Sequence, residues 1–225
     1  EHLTAIRSPV LTGPGACGSF LVLEDGLPVR PTGFCNVNGL FETFFEMASG
    51  VETINGPASA RYGANAMHGV INVLSTPISS NNKIYANIGP NNYKNFKIRG
   101  GNQSDWSFDG SFANNDGFRD QSGYDQQKVK INSNLSIASW EGTLSATLTN
   151  LNQETAGYIN GLDSYKDENL SKRNFNPDAY RDANSQRLSL RLMKEDGNTL
   201  NSITSYIRNN DMKFFQHFLP GTPVE

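Results

Sequence analysis

From about residue 80 onward, apolar and polar side chains alternate with a period of two. Ile84, Ala86 and Ile88 share one face, followed by Phe96 and Ile98, then Trp106, Phe108, Gly110 and Phe112. Val129, Ile131, Leu135 and Ile137 continue the pattern, with Ser133 its one polar break. Leu144, Ala146 and Leu148 repeat it, as do Leu188, Leu190 and Leu192, and a stretch from Leu200 to Ile207 follows it less cleanly. The intervening positions are Lys, Asn, Ser, Arg, Asp and Thr. Such alternation belongs to β-strands with one apolar and one polar face. The pattern predicts about seven strands of about 9–11 residues, long enough to cross a bilayer at a tilt, where a globular strand averages about 5–6. That length favours membrane-spanning barrel strands over a soluble β-sandwich. The connectors differ in length too. Gly89-Pro90-Asn91-Asn92 and Asp196-Gly197-Asn198 read as tight turns, Asn114 to Gln126 as a medium loop, and Gln153 to Ser185 as a long polar one. Short turns at one rim and long loops at the other suit an outer-membrane barrel.

The first 79 residues have another character, with glycine, proline and mixed signals. Phe20-Leu21-Val22-Leu23 reads as a short strand, Glu24-Asp25-Gly26 as a turn, and Leu27 to Pro31 as extended chain, because each proline biases its predecessor towards β or polyproline geometry. Leu40, Phe41, Phe44, Phe45 and Ala48 fall on one face of a helix, with Gly50 as its stop. Val51 to Ile54 alternates as a strand. Pro57 suits the first position of a short helical turn ending at Tyr62, with Gly63 as its left-handed terminator, and Gly69 leads into a strand from Val70 to Leu74. These glycines beside a strand raise the question of a phosphate loop. Neither G-x-x-x-x-G-K-[ST] nor G-x-G-x-x-G is present, so they are read as backbone devices.

Composition narrows the functional classes. Charged residues are 18% and hydrophobic ones 36% of the 225. Soluble domains carry about 25% and 45–50% on a slightly wider apolar set. A net charge of −3 leaves no basic footprint for nucleic acid. No apolar run approaches the ~18–20 residues of a membrane helix, which does not bear on a barrel. No Ser/His/Asp grouping or paired carboxylates stand in a catalytic frame, and no cofactor is expected. Cys17 and Cys35 form no C-x-x-C pair and His2, His68 and His217 are scattered, so zinc is not expected. A Cys17–Cys35 disulfide, worth about 3 kcal/mol by chain entropy, is preferred over two buried free thiols and would imply an oxidising compartment. Asp163, Asp167, Glu168, Asp178 and Asp182 crowd the long loop without the spacing of a calcium loop, and are read as solvated charge. Trp106, Trp140, Tyr85, Tyr158 and Tyr206 are candidates for interfacial aromatic girdles, with core or loop packing the alternative.

The segment V-E-T-I-N-G-P-A-S-A-R-Y-G-A-N-A-M-H-G-V-I-N-V-L-S-T-P resembles the plug signature of TonB-dependent outer-membrane receptors, through Glu52, Gly56, Pro57, Tyr62, Gly63, Ala66, Gly69, Ile71 and Asn72. L-V-L-E-D-G-L-P-V resembles the upstream plug strand, and N-N-D-G-F-R-D-Q-S-G-Y-D-Q-Q a barrel loop and strand start of some members. The resemblance implies a mixed α/β plug domain over residues 1–79, followed from 80 to 225 by antiparallel transmembrane β-barrel strands, a partial barrel with about seven strands of an expected 22 or so. The chain, which starts at Glu1 rather than Met, is then expected to be a fragment lacking the segment that contacts TonB.

On the same resemblance the protein is a receptor and transporter in the Gram-negative outer membrane, not an enzyme. Its expected partners are outer-membrane lipid, TonB and a small extracellular ligand such as a metal chelate, with an iron–siderophore complex foremost. Cobalamin, haem and oligosaccharide remain open as ligands, and a secreted adhesin or carbohydrate-binding β protein is the alternative class. The apical plug loops then offer Arg30, Phe34, Asn36, Asn38, Arg61, Tyr62 and Asn65 to ligand. Glu52, Asn55, Gly56, Pro57, Gly63, Gly69 and Asn72 form the structural motif of the plug. Asn55 departs from the family pattern, which places a basic residue before Gly-Pro, and this points to a weaker charge cluster between plug and barrel wall.

Overall fold

The computed structural model describes residues 20–29, 37–157, 159–219 and 222–224. The chain divides into two compact units, one ending at Pro77 and the other beginning at Ile78.

The first unit is built on a four-stranded mixed sheet ordered β2-β1-β4-β3, comprising β1 (Phe20–Glu24), β2 (Leu27–Pro28), β3 (Ala48–Asn55) and β4 (Gly69–Ser75). β1 and β4 are parallel, with Leu21 beside Val70 and Leu23 beside Asn72. β1 is apolar at successive positions because both of its faces are covered. Leu21 and Leu23 pack with Ala66 and Val70 beneath Ala58 and Tyr62, whereas Phe20 and Val22 pack with Val29 against Leu40 and Ile71. The β1–β2 turn has positive φ at both Asp25 (52°) and Gly26 (80°), the geometry that reverses a twisted hairpin in two residues.

Several local expectations are corrected here. Leu40 to Ala48 is not one helix. Two 3-10 stretches, Val37–Glu42 and Phe45–Met47, flank Phe44, and Ala48 already begins β3. The cause is tertiary. The Phe44 N–H donates to the buried Glu24 carboxylate (Oε2, 3.0 Å) instead of continuing a helical ladder, and Phe44 takes φ −87°, ψ 60°. Gly50 therefore stops no helix. It lies within β3, at the point where the pairing with β4 slips. The short helix α1 runs Ser59–Tyr62 behind Ala58, so Pro57 stands just before the helix and not at its first position. Gly63 ends α1 at φ 85°, ψ −179°, outside the left-handed helical region and in a region that glycine alone occupies readily.

The second unit is a sequential antiparallel sheet that remains open. Its strands are β5 (Lys83–Gly89), β6 (Tyr93–Gly101), β7 (Trp106–Asn115), β8 (Tyr124–Ile137), β9 (Trp140–Glu154), β10 (Tyr180–Asp196), β11 (Thr199–Leu219) and the three-residue β12 (Thr222–Val224). β10 and β11 reach 17 and 21 residues, well past the expected length. The connector 155–179 is correspondingly shorter than the Gln153–Ser185 loop expected, and carries the helix α2 (Glu168–Lys172). The 90–92 turn lies at the same end as the loops 116–123 and 155–179, because ends alternate along a meander. The Asp116 N–H donates to the Asn91 carbonyl there (2.9 Å).

The strand registers join the alternating apolar positions into one face. Phe108, Ile131, Ala146, Leu188 and Ile207 line up across β7 to β11, and Ile84, Ile98, Gly110, Val129 and Leu148 across β5 to β9. This face is the exposed one. Ile88 is 88% and Ile207 70% exposed, while Lys128 on the opposite face is 0% exposed. Globular proteins normally show the reverse.

Candidate functional site

Two places in the fold concentrate polar chemistry. The first is the glycine-bracketed motif of the first unit. Asn72, at the centre of β4, uses both ends of its amide. Its Oδ1 accepts from the Gly26 N–H (2.9 Å) and its Nδ2 donates to Glu52 Oε2 (3.0 Å). Next to it, Asp25 accepts from the Ser75 N–H (2.8 Å) and from Ser75 Oγ (2.6 Å). The Glu24-Asp25-Gly26 turn is thus tied across β4 to β3 by side chains that β pairing alone would not supply. The Gly56 N–H donates to the His68 carbonyl (3.1 Å) and the Ala58 N–H to the Ala66 carbonyl (2.9 Å), which closes the 56–69 excursion onto itself. Asn55 ends β3 opposite Gly69 and is exposed.

Of the expected ligand residues, Arg61, Tyr62 and Asn65 sit together on this excursion. Arg61 is exposed and stacks its guanidinium over the Tyr62 ring (5.3 Å to the centroid), while Asn65 is half-buried. The Tyr62 ring also packs on the Leu21, Leu23, Ala66 and Val70 cluster, so this residue is partly core. The backbone of Asn38 lies in the 3-10 stretch Val37–Glu42. Arg30, Phe34 and Asn36, and the expected Cys17–Cys35 disulfide, lie outside the described residues.

The second place is the polar face of the large sheet. Arg99, Asp109, Lys130, Thr147, Arg187 and Arg208 stand in one cross-strand row, and Lys97, Ser111, Lys128, Thr149 and Ser185 in the next. The Arg99 guanidinium donates through Nη1 to both Asp109 oxygens (2.7 and 2.6 Å), and both side chains are shielded from solvent. A charge-assisted pair in such a place is strong once formed, and the loss of either partner is costly. Neighbouring polar groups join in, with Ser145 Oγ donating to Asn132 Oδ1 (2.7 Å) and Asn132 Nδ2 to Ser107 Oγ (3.3 Å). This cationic band was not named as a feature by the sequence reading. Its signal was present in the same-face spacing Lys128-Val129-Lys130.

The aromatic girdle candidates split by parity. Trp106 and Trp140 share the apolar face, whereas Tyr85 and Tyr206 fall on the polar one, opposite Lys97 and Ser189. Tyr158 lies outside the described residues. Among the loop carboxylates, Asp167 caps α2 by accepting from the Asn169 and Leu170 N–H groups (2.9 and 3.0 Å), and Asp163 pairs with Lys166 (3.1 Å). Among the described residues no three His, Cys, Asp or Glu side chains are grouped to hold a metal ion. At the long-loop end, an open polar cleft of about 420 Å³ is lined by Asn114, Asp116, Asp125, Asn152, Glu154 and Asp182.

These features define the class of fold. A small mixed domain followed by an inverted, long-stranded antiparallel sheet is the architecture found in part of the TonB-dependent siderophore and metal receptors. The solved siderophore receptor PiuA from Acinetobacter baumannii matches 93% of this chain and 33% of its own, at TM-score 0.66 and 14% identity. The ferric citrate transporter FecA, in its unliganded form, matches 92% of this chain and 33% of its own, at TM-score 0.71 and 14% identity. The ferric-catecholate import receptor Fiu from K12 E. coli matches 89% and 30%, at TM-score 0.66 and 17% identity. The chain thus spans about a third of the length of the structures it matches. No protein-family profile matches it. All three are receptors or transporters by their descriptions.

Proposed function

We propose that this chain forms the plug (residues 1–79) and the first barrel strands (80–225) of a TonB-dependent receptor in the Gram-negative outer membrane. The receptor imports a scarce extracellular ligand, an iron–siderophore complex foremost, by energy-coupled movement of the plug. The observation that carries this reading is the inverted sheet, with Ile84, Ile88, Ile131, Leu148 and Ile207 exposed and Arg99, Asp109, Lys128 and Lys130 buried. A lipid-facing apolar surface over a polar lumen wall has this distribution, because hydrocarbon solvates apolar side chains and the lumen does not. The solved structures add support, being a siderophore receptor, a ferric citrate transporter and a ferric-catecholate import receptor.

On this reading lipid meets the apolar face, TonB acts from the periplasmic side, and Arg30, Phe34, Asn36, Asn38, Arg61, Tyr62 and Asn65 face the ligand. Transport by this route needs no catalytic group and no cofactor. The test uses the complete reading frame in a Gram-negative host. The protein should stay in the outer-membrane fraction through salt and carbonate washes, and its deletion should abolish uptake of one radiolabelled ferric chelate under iron starvation. Release by the washes would favour a surface adhesin and overturn the proposal.

A further inference from the structure

The segment Asn114 to Gly123 resembles a barrel loop of some receptors. In the structure its Arg119 reaches across to the long loop 155–179. Arg119 Nη2 and Nε donate to the Arg173 carbonyl (2.7 and 3.2 Å), and Nη1 donates to the Gly157 carbonyl. The Asp120 N–H donates to the Lys172 carbonyl (2.8 Å), and Asn174 Nδ2 donates back to the Gln121 carbonyl (2.9 Å). Lys172 and Arg173 end α2, so these donors satisfy carbonyls that a helix end leaves without partners. α2 has five residues and would not persist alone. It is held by Asp167 at one end and by the 116–123 loop at the other.

The loop that carries Arg119 is itself built to hold it. The Arg119 N–H donates to Ser122 Oγ (3.0 Å), and Ser122 Oγ donates to the Arg119 carbonyl (2.7 Å). Gly117, at φ +84°, lies so close to Ser122 that a Cβ there would stand 2.6 Å from the Ser122 carbonyl oxygen. Only glycine allows this closure. Burial pushes the Arg119 pKa below its ordinary value. Its partners are neutral carbonyls, so the contact is a charge-assisted hydrogen-bond fork and not an ion pair.

We infer that Arg119 is a positioning residue, a latch that holds the 155–179 loop in one conformation. With it the two loops present one pre-ordered surface at the long-loop end of the sheet. That this surface faces ligand rests on the receptor reading. The latch itself does not, and the test is chosen to keep the two apart.

The full-length protein, in detergent or in outer-membrane vesicles, is treated with trypsin, and cleavage after Lys166, Lys172 and Arg173 is followed by mass spectrometry. The carbonyls of Lys172 and Arg173 are the latched groups, so cleavage there reads the latch directly. R119A should speed cleavage at these three bonds roughly tenfold or more, because proteolysis follows the population of the opened loop. R119K, which keeps the charge but not the fork, should fall between R119A and wild type. Heat resistance of the barrel on a gel should be unchanged in both. Wild-type cleavage rates in an R119A protein with an intact barrel would overturn the inference. If R119A does not accumulate, hydrogen exchange on the wild-type protein decides. Slow exchange of the Asp120 amide supports the latch, and exchange at the unstructured rate overturns it. Loss of ferric-chelate uptake plays no part in either readout.

Discussion

Replacing Ile131 by arginine separates a lipid-facing sheet from a water-facing one. Ile131 lies in the central apolar row, between Phe108 on β7 and Ala146 on β9, and is 49% exposed. At a half-exposed position in water, such a change alters stability by about 0.5 kcal/mol or less. On the lipid face of an outer-membrane barrel, arginine near the midplane costs about 2–4 kcal/mol, falling to about 0–1 near the interfaces. That range corresponds to a roughly 30- to 900-fold change in the folding equilibrium. Gln127 supplies the internal control, being on the same face but two rows nearer the long-loop end, opposite Phe112. Gln127→Arg should cost about 1 kcal/mol or less. The assay is reversible denaturant unfolding of the full-length protein in lipid vesicles, followed by tryptophan fluorescence. A cost below about 0.5 kcal/mol for Ile131→Arg, equal to that for Gln127→Arg, would refute the assignment of this face to lipid.

Asp109→Ala removes the carboxylate that accepts from the buried Arg99 guanidinium (2.6 Å), and should destabilise the large sheet by about 3 kcal/mol, read as a lower denaturation midpoint that salt does not restore. Gly63→Ala should cost about 1–3 kcal/mol through φ +85° alone, since nothing lies within 4 Å of a Cβ there, and Gly50→Ala, equally open and without positive φ, should cost under about 1. Thermal unfolding of the first unit within the intact protein checks both. Asn72→Ala loses the bonds to Gly26 and Glu52, and should weaken the same unit by about 1–2 kcal/mol by the same measurement. On the proposed receptor reading, Asn55→Arg, which supplies the basic residue of the resembled plug pattern, should lower the protease sensitivity of the first unit in the full-length protein, and unchanged sensitivity would count against a charge role at this position.

Much of the fold was legible because alternation is a local signal. Once Ile84-x-Ala86-x-Ile88 and its successors are read as strands, the faces follow from pleat geometry, and the sequential order of the strands follows from the spacing of the turns. The β1 strand and its Asp25-Gly26 turn were equally readable, since positive φ at two residues demands those residue types. Other features were not. Leu40 to Ala48 carries a helical pattern, yet the buried Glu24 carboxylate, 20 positions away in sequence, takes the Phe44 N–H and breaks the helix. The girdle tyrosines were chosen by residue type, whereas register put Tyr85 and Tyr206 on the polar face.

The candidate site divides in the same way. The glycine positions, Glu52 and Asn72 stood out as members of one motif, but not the bond between Glu52 and Asn72, which depends on β3 and β4 pairing in register. Arg119 was visible only as one letter of a loop motif. What it does depends on where the 155–179 loop returns, and no local rule supplies that. The sequence by itself determined the period of the strands, the polarity of their two faces and the places where the backbone had to turn. The tertiary structure alone decided which face is exposed, which carbonyls Arg119 reaches and which helix Glu24 interrupts. Periodicity is written in near neighbours, whereas burial and hydrogen-bond pairing join residues that only the folded chain brings together.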